Sequence, residues 1–455
     1  MRDPIAFAAE QRRRFYRELD EFLRIPSVSA RSEHNRDTRR AAAWVRSQLV
    51  QAGLTAEVSP TPGHPVVLGE WREAGPDAPT ILIYGHYDVQ PPEPLELWDS
   101  PPFEPDIRDG RIYARGSADD KGQLFLHIKA LEAHLATRGR LPVNVIVLAE
   151  GEEEVGSPNL VPFVKEHRER LAADTVVISD SAMFAPGLPS LLFSLRGLAY
   201  FEIHAQGPSS DLHSGAYGGA ILNPANVLAR VIGDLHDDTG RITIPGFYDD
   251  IVEPSRETLE GICALPFDPD EYARETGVTP SGGERAYSAT ERMWTRPTCD
   301  VNGLLSGYTG EGAKTVLPAR AMAKVSFRLV PGQTPERVKE LLQRHLARVA
   351  PAGVEMTLVE LHGGRPWRAS LEGPVFEAAS RALERSFGRR PVLTGEGGSI
   401  PIVVELEEML GANTLLIGFA LPGANMHAPN EWFATDCFEC GIDTLIRLYD
   451  ELAGS

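Results

Sequence analysis

Three uninterrupted apolar runs, Thr80-Ile-Leu-Ile-Tyr84, Asn144-Val-Ile-Val-Leu148 and Thr175-Val-Val-Ile-Ser179, constrain this chain more than any other feature. Strands that read as continuously apolar are buried on both faces, which happens almost only in parallel sheets covered by helices on each side. The intervening sequence supplies those helices. Leu124, Ile128, Leu131 and Leu135 recur at helical spacing, Leu160 to Leu171 is amphipathic, and upstream Phe15 to Leu23 and Thr38 to Leu49 carry the same period. Val66-Val-Leu68 adds a strand before the three runs, and Thr414-Leu-Leu-Ile-Gly418 adds one near the C-terminus. Strands alternating with helices predict an α/β unit with a mostly parallel sheet sandwiched by helices.

The middle of the chain has another texture. From about Ser194 to Gly364 the strands alternate apolar and polar residues, as in Tyr200-Phe-Glu-Ile-His204 and Ala323-Lys-Val-Ser-Phe-Arg-Leu329, and helical patterns follow at Pro224 to Leu235 and Thr334 to Val349. That pattern fits a half-exposed antiparallel sheet with helices on one face. The stretch from about Asp237 to Asn302 is rich in Pro, Gly and Asp and reads as an extended loop region with short helices. A chain of 455 residues exceeds what one core usually supports. The expectation is an α/β domain built from residues 1–193 and 367–455, with an α+β domain, residues 194–366, inserted into it.

Composition narrows the partners. With 45 basic against 64 acidic residues the formal charge is −19, which repels nucleic acid and anionic membranes. Charges interrupt the N-terminal stretch where a signal peptide needs an apolar core, and no run approaches the ~18 apolar residues of a membrane span. A cytoplasmic location is expected. The four cysteines include one C-x-x-C, Cys437 and Cys440, inside a helical pattern; without a second pair or a histidine partner it reads as two structural thiols. Gly310 to Thr315, GEGAKT, lacks the spacing of a phosphate loop, and no G-x-S-x-G nucleophile elbow occurs.

Chemistry-bearing residues collect where the strands end. His86 and Asp88 follow the first run, EGEEEVGS (Glu150 to Ser157) the second, Asp180 the third, and His427 comes soon after the C-terminal strand. In an open parallel sheet the carboxyl edge is where ligands bind. EGEEEVGS places four carboxylates in five positions, with no Lys or Arg before Asn159, so it is not a solvated mixed-charge face. Imidazoles and carboxylates converging there are the ligand set of zinc, manganese or cobalt. Taken singly, each residue has a plainer role: Asp119 or Asp120 as a helix N-cap, Asp180 in a turn, His427 in an exposed loop.

GHYDVQP (Gly85 to Pro91), ARGSADDKG (Ala114 to Gly122), EGEEEVGS, ISDS (Ile178 to Ser181), DLHSGAYGG (Asp211 to Gly219) and GGSIP (Gly397 to Pro401) resemble, in order and over nearly the whole chain, the motif series of the two-metal aminopeptidase and carboxypeptidase superfamily that includes aminoacylases. The likeness is to its dipeptidase branch, the carnosinase and cytosolic nonspecific dipeptidase group. The resemblance implies that Asp119 bridges two divalent cations, with zinc expected and manganese or cobalt also suited. His86 and Asp180 would complete one site, Glu154 and His427 the other, while Asp88 orients His86. Glu153 is implied as general base; Glu152, often neutral in relatives, is expected to face solvent. The inserted domain would serve as a lid and dimerisation domain, with His213 supplying an oxyanion donor to the neighbouring subunit of a homodimer. Arg328 would grip the carboxylate of a small peptide substrate, the amides of Gly398 and Ser399 would cradle an anion, and Asn302 would add a lid contact. A dipeptidase is the expected activity. An amidohydrolase of N-acyl amino acids and a non-catalytic peptide or metal binder are the alternatives.

Overall fold

The computed structural model describes residues 2–398 and 400–454. They divide into two units, one of Met1–Phe193, Ala369–Thr394 and Ile402–Ser455, the other of Ser194–Arg368 and Gly395–Pro401.

The first unit opens with helix α1 (Pro4–Leu23), whose start is fixed by the Asp3 side chain accepting the Ile5 N–H and by proline in the first turn. Helix α2 (Asn35–Ala52) ends on Gly53 at φ 105°. Strands β1 (Thr55–Ser59), β2 (Val66–Trp71) and β3 (Thr80–His86), helix α3 (Lys121–Arg138), and strands β4 (Asn144–Glu150) and β5 (Thr175–Ile178) follow. Helix α3 is buried continuously from Lys121 to His134 rather than on one stripe. It packs against β3 with α1 and α2 beside it, so its polar members must find partners inside. Lys129 Nζ meets Glu18 at 2.6 Å and Glu132 at 2.9 Å. The Gln123 amide bridges the Ala118 carbonyl and the Phe419 N–H.

The second unit is built on strands β6 (Gly197–Gln206), β7 (Thr298–Ser306), β8 (Arg320–Leu329) and β9 (Glu355–Gly364), antiparallel in the order β7-β8-β6-β9. Helices α4 (Pro224–Gly233) and α5 (Pro335–Val349) cover one face, where Phe201, Ile203, Val325 and Phe327 meet Leu228, Leu342 and Leu346. On β6 and β8 burial alternates strictly with partial exposure, the period-2 pattern of a sheet with one open face. The Asp237–Asn302 region does hold short helices, Arg256–Cys263, Pro269–Thr276 and Ala289–Trp294, capped by Ser255, Asp268 and Ser288. Its end, however, is strand β7. Val301, Leu304 and Leu305 are exposed on this edge strand, so no alternation marked it in the sequence.

The chain then returns to the first unit as helix α6 (Pro374–Phe387), strand β10 (Asn413–Leu416) and helix α7 (Thr435–Leu452). The completed sheet runs β1-β2-β4-β3-β5-β10. Strand β3 is parallel to β4 and β5, and β10 is parallel to β5; β1 and β2 form an antiparallel edge. Cys437 and Cys440 are free thiols on α7, and burial pushes the Cys440 thiol up to about 11. Among the described residues no helix is long and apolar enough to cross a membrane.

Candidate metal centre

The parallel strands deliver their ends to one edge of the first unit's sheet. Strand β3 closes on His86, which is fully buried. The preceding Gly85 is a glycine for a steric reason: a Cβ there would lie 2.8 Å from Asp120 Oδ2. That oxygen accepts the His86 backbone N–H at 3.1 Å, so Asp120 fastens the end of β3 and makes no side-chain capping bond to α3. Strand β4 runs into a single turn, Glu153–Val155. The loop after β10 presents His427 at φ 62°, flanked by Asn425 and Asn430, also in the left-handed region.

Two groups of side chains converge, His86 with Asp119 and Asp180, and Asp119 with Glu154 and His427; in each the potential ligand atoms lie within 4.8 Å of one another. Asp119 belongs to both. His86 Nε2 is 3.1 Å from Asp119 Oδ1 and 3.9 Å from Asp180 Oδ2, while His427 Nε2 is 2.9 Å from Asp119 Oδ2 and 3.2 Å from Glu154 Oε2. The His86–Asp119 contact is not aligned as a hydrogen bond, which leaves Nε2 buried and without a partner. The other ring nitrogen, Nδ1, faces Asp88, 3.1 Å from its carbonyl and 3.3 Å from its carboxylate.

The electrostatics describe acids crowded beyond what the protein's own cations neutralise. Burial pushes Asp180 up to about 7, with Asp119 adding to it. Burial, Asp180 and Glu154 hold the Glu153 carboxyl well above the usual carboxylate range, against the opposing pull of His86. Asp119 goes the other way, because contacts with His427 and His86 outweigh its burial. Its partner His427 is raised to about 10 by Asp119 and Glu154. An orphaned imidazole nitrogen aimed at carboxylates, in a site sharing one bridging acid, fits a pair of divalent cations bound by N and O ligands. Glu153 stands beside both groups and belongs to neither.

Further residues set these groups in place. The Asp88 carboxylate accepts the backbone N–H of Glu153 at 3.3 Å and of Glu154 at 3.1 Å, so one side chain orients both His86 and the acidic turn. Gln90 donates to Glu154 from its backbone at 3.1 Å and its side chain at 2.8 Å. Glu152 does not face solvent: it is buried, and its carboxylate accepts Asn159 Nδ2 and the His64 N–H, tying down the loop. Glu431 is the residue that sequence patterns missed. Fully buried, it accepts Arg115 Nη1 at 2.7 Å and the backbone N–H groups of Gly116, Ala118 and Asp119 at 2.9, 2.8 and 3.1 Å. It joins the loop that carries Asp119 to the loop that carries His427. In the sequence it is one more acid in an Asn-Glu-Trp loop, with nothing to separate it from a surface charge.

Five other predicted residues belong to the second unit's segments, four of them among the described residues. His213 is exposed at the start of a one-turn helix, and its Nδ1 accepts the Gly215 N–H at 3.0 Å, which leaves the neutral ring's proton on Nε2. Arg328 is on β8, paired across the sheet with Leu198 and Thr298. Asn302 is exposed at an irregularity where β7 shifts register between Val301 and Gly303. Gly398 lies beside Glu396, whose carboxyl is raised by burial against the opposing effect of the Gly398 and Gly397 backbone. Ser399 lies outside the described residues.

Comparison with known proteins gives one result from every direction. The model of peptidase family M20/M25/M40 matches residues 82–451. The chain is 32% identical to the Cys-Gly metallodipeptidase of Schizosaccharomyces pombe over 96% of its own length and 95% of that protein's. It is 30% identical to the human β-Ala-His dipeptidase over 90% of its own length and 81% of that protein's. Among solved structures, a metallo-carboxypeptidase from Sulfolobus solfataricus superposes with a TM-score of 0.83 at 34% identity, over 97% of this chain and 99% of that one.

Proposed function

Because this chain belongs to peptidase family M20/M25/M40 and is therefore a peptide-bond hydrolase, we propose that it is a two-metal dipeptidase acting on short peptides with a free C-terminal carboxylate. The observation that carries the proposal is the pair of ligand groups sharing Asp119 with Glu153 beside them. His86, Asp119 and Asp180 would hold one divalent cation, Asp119, Glu154 and His427 the other, and zinc is the assigned metal. When bound, the cations supply Lewis acidity that lowers the pKa of a water and offsets charge on the substrate carbonyl oxygen.

The chain's own groups do the rest. Glu153, held above the ordinary carboxylate range by burial and neighbouring acids, takes a proton from the attacking water and returns it to the departing amine. Asp88 keeps His86 oriented through Nδ1, so that Nε2 faces Asp119 and Asp180. His213, with its proton on Nε2, donates to the developing oxyanion of a second subunit's site, which makes the working form a homodimer. Arg328 takes the substrate carboxylate in a bidentate grip. The similarity to proteins named as Cys-Gly and β-Ala-His dipeptidases supports the substrate class.

The test is amino acid release from free dipeptides, C-terminally amidated dipeptides and N-acetyl amino acids by protein reconstituted with zinc or manganese. Cleavage of free dipeptides is expected. Cleavage of the N-acetyl compounds alone would overturn the assignment of substrate while leaving the metal site in place.

A further inference from the structure

Arg196, just ahead of β6, is held through its backbone and its Nε, with a buried guanidinium nitrogen left over. Its backbone N–H donates to the Glu396 carbonyl at 3.1 Å, and its Nε donates to the Gly397 carbonyl at 3.3 Å. A Cβ on Gly397 would lie 2.8 Å from Arg196 Nη2, so a side chain there would push the guanidinium aside. The guanidinium therefore lies close against Gly397. Nη1 is buried without a hydrogen-bond partner.

The strongest charge on this group is one of its own sign. Burial first and the Arg328 charge second lower the Arg196 pKa to about 10, with Asp300 and Glu396 each opposing them less strongly than Arg328 acts. Arg328 sits opposite Leu198, two residues along from Arg196. Among the described residues neither arginine makes a hydrogen bond or an ion pair with a carboxylate. In a chain with 64 acids to 45 bases, two neighbouring guanidiniums without an acidic partner are unusual. A buried cation facing a like charge is costly unless an anion joins them. Two guanidinium forks within electrostatic reach of each other offer more donors than one carboxylate has lone pairs, which suits them to gripping it from two directions.

We propose that Arg196 is a second carboxylate-binding group that shares with Arg328 the grip on the substrate's C-terminal carboxylate. The identity of the ligand rests on the dipeptidase function proposed above; the anion site itself rests on the two arginines.

The test compares Gly-Leu, Gly-leucinamide and Gly-Asp-amide, whose only carboxylate is in the side chain, as substrates for the metal-loaded parent, Arg196→Ala and Arg196→Lys. Losing a charged hydrogen bond to the ligand should lower kcat/KM on Gly-Leu by roughly 10- to 100-fold. The loss should fall mainly on KM, exceed the loss on Gly-leucinamide, and be partly recovered by the lysine. Arg196→Ala that keeps the parent's preference for Gly-Leu over Gly-leucinamide would overturn the proposal, as would a selective loss on Gly-Asp-amide. Calorimetric titration of L-leucine and L-leucinamide needs no turnover and separates the two proposals. If the parent cleaves none of the peptides yet binds leucine over leucinamide, and Arg196→Ala abolishes that difference, the anion site stands and the dipeptidase function fails. Gly397→Ala, which displaces the guanidinium but keeps its charge, should weaken leucine binding in the same direction and carries the test if Arg196→Ala does not fold; unchanged binding there counts against the proposal.

Discussion

The carboxyl edge of the first unit's sheet and the open face of the second unit's sheet present their functional groups in opposite ways. At the edge, His86 is fixed by Asp88 and Asp120, Glu154 by Gln90, and the backbone at Asp119 by Glu431. On the open face, among the described residues, Arg328 has no such support and Arg196 keeps an unpartnered Nη1, while elsewhere in the second unit His213 is exposed with only its Nδ1 engaged. A cation site gains from ligands set before the ion arrives, because ordering them afterwards costs conformational entropy. Groups that meet a substrate must instead exchange water for ligand in every cycle. The comparison therefore separates two kinds of variant: changes at the edge should register in metal binding, whereas changes on the open face should be silent there and register only in turnover.

Glu153 tests the division most severely, since it stands beside the proposed ligands and is proposed as the base. Glu153→Gln should retain both metals by elemental analysis and lose turnover by roughly 10²- to 10⁴-fold, the range of a general acid–base contribution. Loss of metal along with activity would make Glu153 a ligand and undo the assignment of the base. His213→Ala comes next, with an expected loss in kcat of about 10²- to 10³-fold at unchanged metal content, the usual cost of an oxyanion donor. Mixing His213→Ala with Glu153→Gln sharpens that result, because a mixed dimer would own one site with an intact base and an intact donor from its partner. Absence of any recovered activity on mixing would remove the shared-site dimer.

How far the sequence reached follows the same division. The buried strands were legible because double-sided burial writes an unbroken apolar run, and their carboxyl ends placed His86, Asp180 and the acidic turn at one edge in advance. Glu431 and Glu152 were illegible because a carboxylate that accepts backbone N–H groups has the same composition as one that faces water; only the fold supplies its donors. Strand β7 was missed because an edge strand with exposed Val301, Leu304 and Leu305 loses the period that identifies a half-buried one. Arg196 gave no signal either, since its meaning depends on Arg328 more than a hundred residues away and on the space left by Gly397.

Glu431→Gln should give a smaller effect of a purely edge kind. One carboxylate oxygen becomes an NH₂ group turned towards N–H donors, so the loop holding Asp119 loses part of its anchorage. Metal affinity should fall about 10- to 100-fold, the usual range for residues that orient ligands, with the far-ultraviolet circular dichroism of the parent. Parent-like affinity in a competition titration against a chelating dye would show that the Asp119 loop holds its shape without this anchor.

The smallest expected effect lies beneath the edge, where His127 bridges Ser179 Oγ at 2.8 Å and the Tyr449 hydroxyl at 2.7 Å. Burial lowers its pKa to about 3 from an ordinary 6.5, so it stays neutral in the folded chain while the unfolded chain takes up a proton near 6.5. The unfolded state then binds more protons, and the stability this group contributes is complete above pH 6.5 and is lost progressively as pH falls towards about 3. One proton limits the slope to about 1.4 kcal/mol per pH unit. His127→Asn, which cannot titrate, should flatten the fall in urea midpoint between pH 6.5 and 5 relative to the parent. An equal fall in both would assign the acid sensitivity to other groups and leave His127 as a packing residue whose two hydrogen bonds hold Ser179, and with it the end of β5, in register.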